Sequence, residues 1–79
     1  MREIIAEGIV EFVKHHSAAF HYACQIQIKN LTPTIEGNNR MGFYRGYPIE
    51  LKQGDKVAIV RYTGWQSFFR GKYTFEEKQ

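Results

Sequence analysis

Residues 51–75 run LKQGDKVAIVRYTGWQSFFRGKYTF. The segment opens on a polar turn at Gln53, Gly54 and Asp55, becomes apolar and β-branched through Val57, Ala58, Ile59 and Val60, and turns again at Thr63 and Gly64. A second run, dense in rings, returns from Ser67 to Phe75. Two extended runs bounded by glycine-bearing turns predict a β-hairpin. Strand alternation then sorts the side chains. If Val57 and Ile59 face the core, Arg61 follows them inward or marks the strand end, and Tyr62 lies outside with Ala58 and Val60. The opposite facing exchanges the roles of Arg61 and Lys56. On the returning run Phe69, Gly71, Tyr73 and Phe75 share one side. Phe68, Arg70, Lys72 and Thr74 share the other, which is the expected wet face.

Upstream, residues 20–29 give the clearest period of two in the chain. Phe20, Tyr22, Cys24, Ile26 and Ile28 point one way, and His21, Ala23, Gln25, Gln27 and Lys29 the other. That is a half-buried antiparallel strand with a well-specified register, because a slip of one residue would put large apolar groups in water. Lys14, His15, His16 and Ser17 before it read as a polar turn. Residues 30–42, NLTPTIEGNNRMG, carry Pro33, Gly37 and adjacent asparagines and read as a long loop. Extended character resumes over residues 43–51, where Pro48 restricts the strand to an edge or to a start after the proline. The polar residues 76–79 are expected to fray.

Residues 3–14, EIIAEGIVEFVK, fit two readings. As a helix, Ile5, Ile9, Phe12 and Val13 share a face and Glu3, Glu7 and Glu11 lie four apart on another. As a strand, the run is rich in isoleucine and valine and bends at Gly8. A glycine inside a helix costs about 1 kcal/mol against alanine, and β-branched residues are poor helix formers, so the strand is preferred. The expected architecture is all-β: one domain over residues 1–79, a small five-stranded antiparallel barrel of OB-fold or SH3-like type that hides its edges by closure. The alternative is α+β, with an N-terminal helix at residues 3–14 packed on the barrel.

Size and composition narrow the rest. A chain of 79 residues buries only about 60% of its unfolded surface. Aromatic residues, 15% of the chain, must therefore fill much of the core, so most rings are expected to be structural. One cysteine excludes an intrachain disulfide, and a domain this small without staples fits a reducing, cytoplasmic setting. The N-terminal run is interrupted by Glu7 and Glu11 and lacks a small-residue cleavage site, unlike a signal peptide. No apolar run approaches the ~18 residues of a membrane span. Charge is uneven. Residues 40–72 hold seven basic residues against Glu50 and Asp55, whereas residues 1–39 hold three against four glutamates. A positive half attracts polyanions; it also serves as a solvated face that keeps the protein soluble.

Nothing in the sequence assembles a reaction. Ser17 and Ser67 are the only serines and Asp55 the only aspartate, and no spacing pairs them into a catalytic set. His21 and Cys24, three apart on a strand, fall on opposite faces, which is wrong for one metal ion, and Cys24 reads as a small buried hydrophobe. GxxxxGK[ST] and GxGxxG are both absent. The expectation is a non-enzymatic protein without metal or cofactor.

The remaining signal is basic residues interleaved with rings: RMGFYRGY at residues 40–47, RYTGW at 61–65 and FFRGKY at 68–73. Single-stranded nucleic acid is held this way, with cations tracking phosphates and exposed rings stacking on bases at about 1–3 kcal/mol each. Arg45, Arg61, Arg70 and Lys72 are the expected phosphate contacts. Tyr44, Trp65 and Phe68 are the expected stacking rings, with Trp65 at its turn the ring most open to solvent. The rival reading is a protein-interaction or oligomer-forming barrel whose exposed rings mark a partner surface, in a protein that does not itself insert into a membrane.

LKQGDKVAIV, residues 51–60, resembles the strand entries of small OB-fold and SH3-like modules, among them single-stranded-DNA-binding proteins and the soluble barrels of NfeD-type membrane proteins. RGKYTF, residues 70–75, is similar at its start to the RNA-recognition signature that begins basic-Gly-aromatic, and departs from it where Lys72 and Thr74 stand in place of rings. The resemblance implies a small barrel; no site residue is carried over from either family.

Overall fold

Five strands and one short helix order the described residues: β1 Arg2–Ala18, β2 His21–Thr32, β3 Met41–Arg45, β4 Lys56–Tyr62, α1 Gln66–Arg70 and β5 Tyr73–Glu77. They come from a computed structural model that describes residues 1–78, the side chains of Gln66 and Arg70 excepted. The strands form one antiparallel sheet in the order β3-β2-β1-β4-β5. The all-β class is as expected. The closed barrel is not found: β3 and β5 remain as edges.

The N-terminal run is a strand, and the helix at residues 3–14 does not form. β1 is long enough to serve two neighbours, pairing with β4 from Arg2 to Ile9 and with β2 from Glu7 to Ala18. The overlap falls at Gly8, where the register against β2 shifts between Glu7 and Ile9 as the bend predicted. Glycine is required there by close approach. A Cβ on Gly8 would lie 2.5 Å from Ile28 Cγ2 and 3.0 Å from the Lys29 carbonyl oxygen.

The core sits on one face of the bent sheet, where Val10, Cys24, Ile26, Ile28, Val57 and Ile59 are fully buried. Tyr22, Cys24, Ile26 and Ile28 point inward as alternation requires, but Phe20 does not; it is fully exposed. The turn expected at Lys14–Ser17 is absent because His15, His16 and Ser17 pair with Cys24, Ala23 and Tyr22. The hairpin closes instead at Ala18 opposite His21, which leaves Phe20 at the tip and out of the ladder.

β4 is buried on both faces, so the expected outside position of Ala58, Val60 and Tyr62 is wrong. Strands flank β4 on either side, and Arg2 of β1 reaches Glu76 of β5 across the face that carries these residues. Arg2 Nε donates to Glu76 Oε2 at 3.0 Å, and its Nη2 donates to Oε1. The hydrogen bond from Arg2 holds the Glu76 carboxyl below the ordinary carboxylate range. A depressed folded-state value means that the pair stabilises the fold above the unfolded-state pKa. That contribution is lost as pH falls through the folded value. Both side chains are about two-fifths exposed, so solvent screens the pair. Thermal melts from neutral pH to about pH 3 are expected to decline slightly less steeply for Glu76→Gln than for the native chain; coincident profiles would remove this pair from the acid response.

The returning run does not begin at Ser67. Residues 66–70 are helical, and the wet strand face of Phe68, Arg70, Lys72 and Thr74 does not exist. Its rings imitate a strand, but residues 64–72 contain no valine, isoleucine or threonine to favour extended backbone. Ser67 instead donates through its N–H and Oγ to the Gly64 carbonyl, at 3.2 and 2.8 Å, starting a tight turn. Residues 76–78 do not fray as expected, and Gln79 lies outside the described residues. Glu76 and Glu77 pair with Ala58 and Val57, and Lys78 N–H donates to the Lys56 carbonyl at 2.9 Å.

Side chains join the two edge strands. The rings of Phe43 and Phe75 lie 5.0 Å apart. The Arg45 guanidinium covers both, at 5.5 and 5.0 Å, and donates to Thr74 Oγ1 at 2.7 Å. No helix among the described residues is long and apolar enough to cross a membrane.

Candidate functional site

The connection from β4 to β5 carries the most unusual surface of the chain. Trp65, Phe68 and Phe69 stand on or beside the one-turn helix and are 82%, 84% and 83% exposed. Three large rings within five residues, none sheltered, are more than a folded monomer ordinarily presents in one place. The helix is too short to bury them. Its hydrogen bonds run from Phe68 N–H to the Trp65 carbonyl and from Gly71 N–H to the Ser67 carbonyl, both 3.2 Å, and Gly71 at φ 78° ends it.

Two depressions are lined by residues of this connection and the strand ends that bound it. One, of about 490 Å³, is lined by Arg45, Tyr47, Tyr62, Phe69 and Thr74 among others. The other, of about 350 Å³, is lined by Thr34, Glu36, Arg61, Lys72 and Tyr73 among others. β4 and β5 place Arg61 directly opposite Tyr73, and Lys72 precedes Tyr73. The loop at residues 33–40 brings Glu36 to them. Lys72 Nζ and Tyr73 Oη each lie near Glu36 Oε1, at 3.4 and 3.5 Å. Hydrogen bonding to Glu36 raises the Lys72 pKa, so the ammonium stays charged.

The seven expected contacts therefore divide. Trp65 and Phe68 share the exposed knob, and Arg61 and Lys72 share the second depression. Tyr44 is exposed on the outer face of β3 opposite Gln25 and lines neither depression. The Arg70 side chain lies outside the described residues. Arg45 is committed to the fold: it clasps β3 to β5 and donates to the Tyr44 carbonyl at 2.8 Å. Arg45→Ala is expected to lower stability by about 1–2 kcal/mol in urea unfolding, from two ring contacts and one part-buried hydrogen bond. Arg45→Lys is expected to recover little of this, since an ammonium lacks the planar fork. Full recovery would reduce the clasp to its charge.

Sequence reasoning missed Phe69 and Tyr47. Both line the first depression, and they are 83% and 55% exposed. Phe69 was assigned inward by an alternation that the helix abolishes. Tyr47 had a usable signal, lying two residues from Arg45 in the first basic–aromatic cluster. The positive field is also weaker than the sequence suggests. Arg2, Arg40, Arg61, Lys72 and Lys78 each pair with a glutamate. Comparison of the chain with protein-family models, with curated proteins and with solved structures finds no match to any of them.

Proposed function

We propose that this chain is a non-enzymatic binding module of small OB type that takes single-stranded nucleic acid at the β4–β5 connection. One observation carries the reading: Trp65, Phe68 and Phe69 are held in solvent on a helical turn, next to the depression shared by Arg61 and Lys72. Stacking on bases uses such rings without sequence preference, and nearby cations meet the phosphates. The strand order, with the edges joined through the side chains of Phe43, Phe75, Arg45 and Thr74, agrees with a partly open five-stranded barrel, an architecture that binds oligonucleotides through the loops between strands.

Trp65 is the only tryptophan, so its emission reports this site alone. Titration with oligothymidylate and oligouridylate at low salt is expected to quench it, with affinity falling steeply as salt rises. Phe68→Ala and Phe69→Ala are each expected to weaken binding about 5- to 100-fold. Unchanged emission with both oligomers at low salt would end the proposal. A protein-contact reading is favoured by one specific fact, the pairing of Arg61 with Glu3 and of Lys72 with Glu36, which leaves rings rather than charges dominant. It calls for salt-insensitive self-association or a protein ligand, visible by light scattering.

A further inference from the structure

We propose that the depression lined by Arg61, Lys72 and Tyr73 is a phosphate site, and that the Glu36 carboxylate engages two of its donors in the free protein as an internal stand-in for the ligand. Arg61 gives its Nη2 to Glu3, which leaves its Nε buried with no hydrogen-bond partner among the described residues. A buried donor on a charged group is rarely left unmatched, and this one belongs to a residue that lines the depression. Two further donors, Lys72 Nζ and Tyr73 Oη, converge on one carboxylate oxygen at 3.4 and 3.5 Å, the long limit of a hydrogen bond. A single carboxylate thus serves two donors loosely and leaves the third without an acceptor. A phosphate group, with more oxygens and more charge, has acceptors for all three.

The segment that delivers Glu36 is anchored by the buried Ile35 and holds the glutamate in a backbone conformation that this residue seldom adopts. Ile35 and Asn38 exchange both backbone hydrogen bonds, at 2.9 and 2.8 Å, around Glu36 and Gly37, whose φ angles are 50° and 80°. Such a turn favours asparagine, aspartate or glycine at its first central position, where a glutamate sits in left-handed backbone. Backbone outliers of this kind collect at ligand clamps and switches. Here the outlier projects a carboxylate at the Lys72 ammonium and the Tyr73 hydroxyl. An incoming phosphate must displace it, which disfavours small anions and favours a polyanion that makes contacts elsewhere as well.

The proposal rests on the nucleic-acid reading only for the source of the phosphate, and two probes separate the sources. Inorganic tripolyphosphate is followed through the backbone amide resonances of Lys72 and Tyr73, and oligothymidylate through Trp65 emission. Glu36→Gln removes the competing charge, and Glu36→Asn does so with a residue the turn prefers. Both are expected to bind tripolyphosphate roughly 3- to 10-fold more tightly than the native chain. Glu50→Gln, with the same change in net charge on a different loop, is expected to show no gain. Lys72→Gln is expected to abolish the response. Equal tripolyphosphate affinity in the native chain and both Glu36 variants, or an equal gain for Glu50→Gln, overturns the proposal. Tripolyphosphate binding of the expected pattern without any quenching by oligothymidylate upholds the phosphate site and sinks the nucleic-acid reading. Quenching that is indifferent to Glu36 does the reverse.

Discussion

Ile59→Ala is expected to cost about 3–4 kcal/mol, among the largest single losses in the chain. Ile59 lies in β4 between Ala6 of β1 and Phe75 of β5, and it is fully buried. Removing three carbons there loses their transfer free energy and leaves a cavity that the ladders on both sides of β4 prevent from collapsing. A chain of this length has only about 4–12 kcal/mol of total stability. Each kcal/mol moves the midpoint by about 4–8 °C in a domain this small, so the melt should fall by roughly 15–30 °C, or the variant should fail to fold. Ile59→Val is expected to lose about 1 kcal/mol and to keep the fold, which separates a cavity from general intolerance. A loss below about 1 kcal/mol for Ile59→Ala in urea unfolding would mean that β4 is not the centre of the core.

Gly8→Val is expected to rank next, at about 3 kcal/mol, through overpacking rather than a cavity. The nearest atom to an added Cβ, 2.5 Å away, is a methyl carried on the branched Cβ of Ile28, which is fully buried and has no flexible stem to swing aside. The Lys29 carbonyl at 3.0 Å is ladder backbone. Gly8→Ala meets the same first clash but gains about 0.4–1 kcal/mol from a stiffer unfolded chain, so its net loss should be about 1–2 kcal/mol. Gly8→Val paired with Ile28→Ala should be better than the sum of the two single changes, because the smaller partner makes room. Additive losses would place the strain in the bulge backbone instead. Valine has a high strand propensity, so a stable Gly8→Val would show propensity outweighing contact at this position.

The stability and binding predictions meet at the β4–β5 connection. Its neighbours are among the best-packed residues of the chain, Val60 and Tyr62, whereas Trp65, Phe68 and Phe69 contribute little burial. Removing those rings should therefore alter binding while leaving the unfolding midpoint nearly unchanged. That separation makes the ring variants usable probes.

How much of this was legible beforehand follows from the range of each interaction. Period-two alternation announced β2 through Cys24, Ile26 and Ile28. The apolar run from Val57 to Val60 announced β4, Gly8 announced the bend in β1, and Gly54 with Asp55 announced a turn, where Lys52 N–H donates to Asp55 Oδ2 at 3.0 Å. These features depend on neighbours within a few residues, which a sequence displays directly. The tertiary structure alone decided that β4 is covered on both faces, that residues 66–70 coil instead of extending, and that the hairpin tip falls at Phe20. It also withdrew Arg45 to tie β3 to Thr74, 29 residues away, and set Glu36 against Lys72 across 36 residues. Alternation states that a side chain has a face; which strand, ring or carboxylate meets that face is settled only when distant segments compete to bury the same surface.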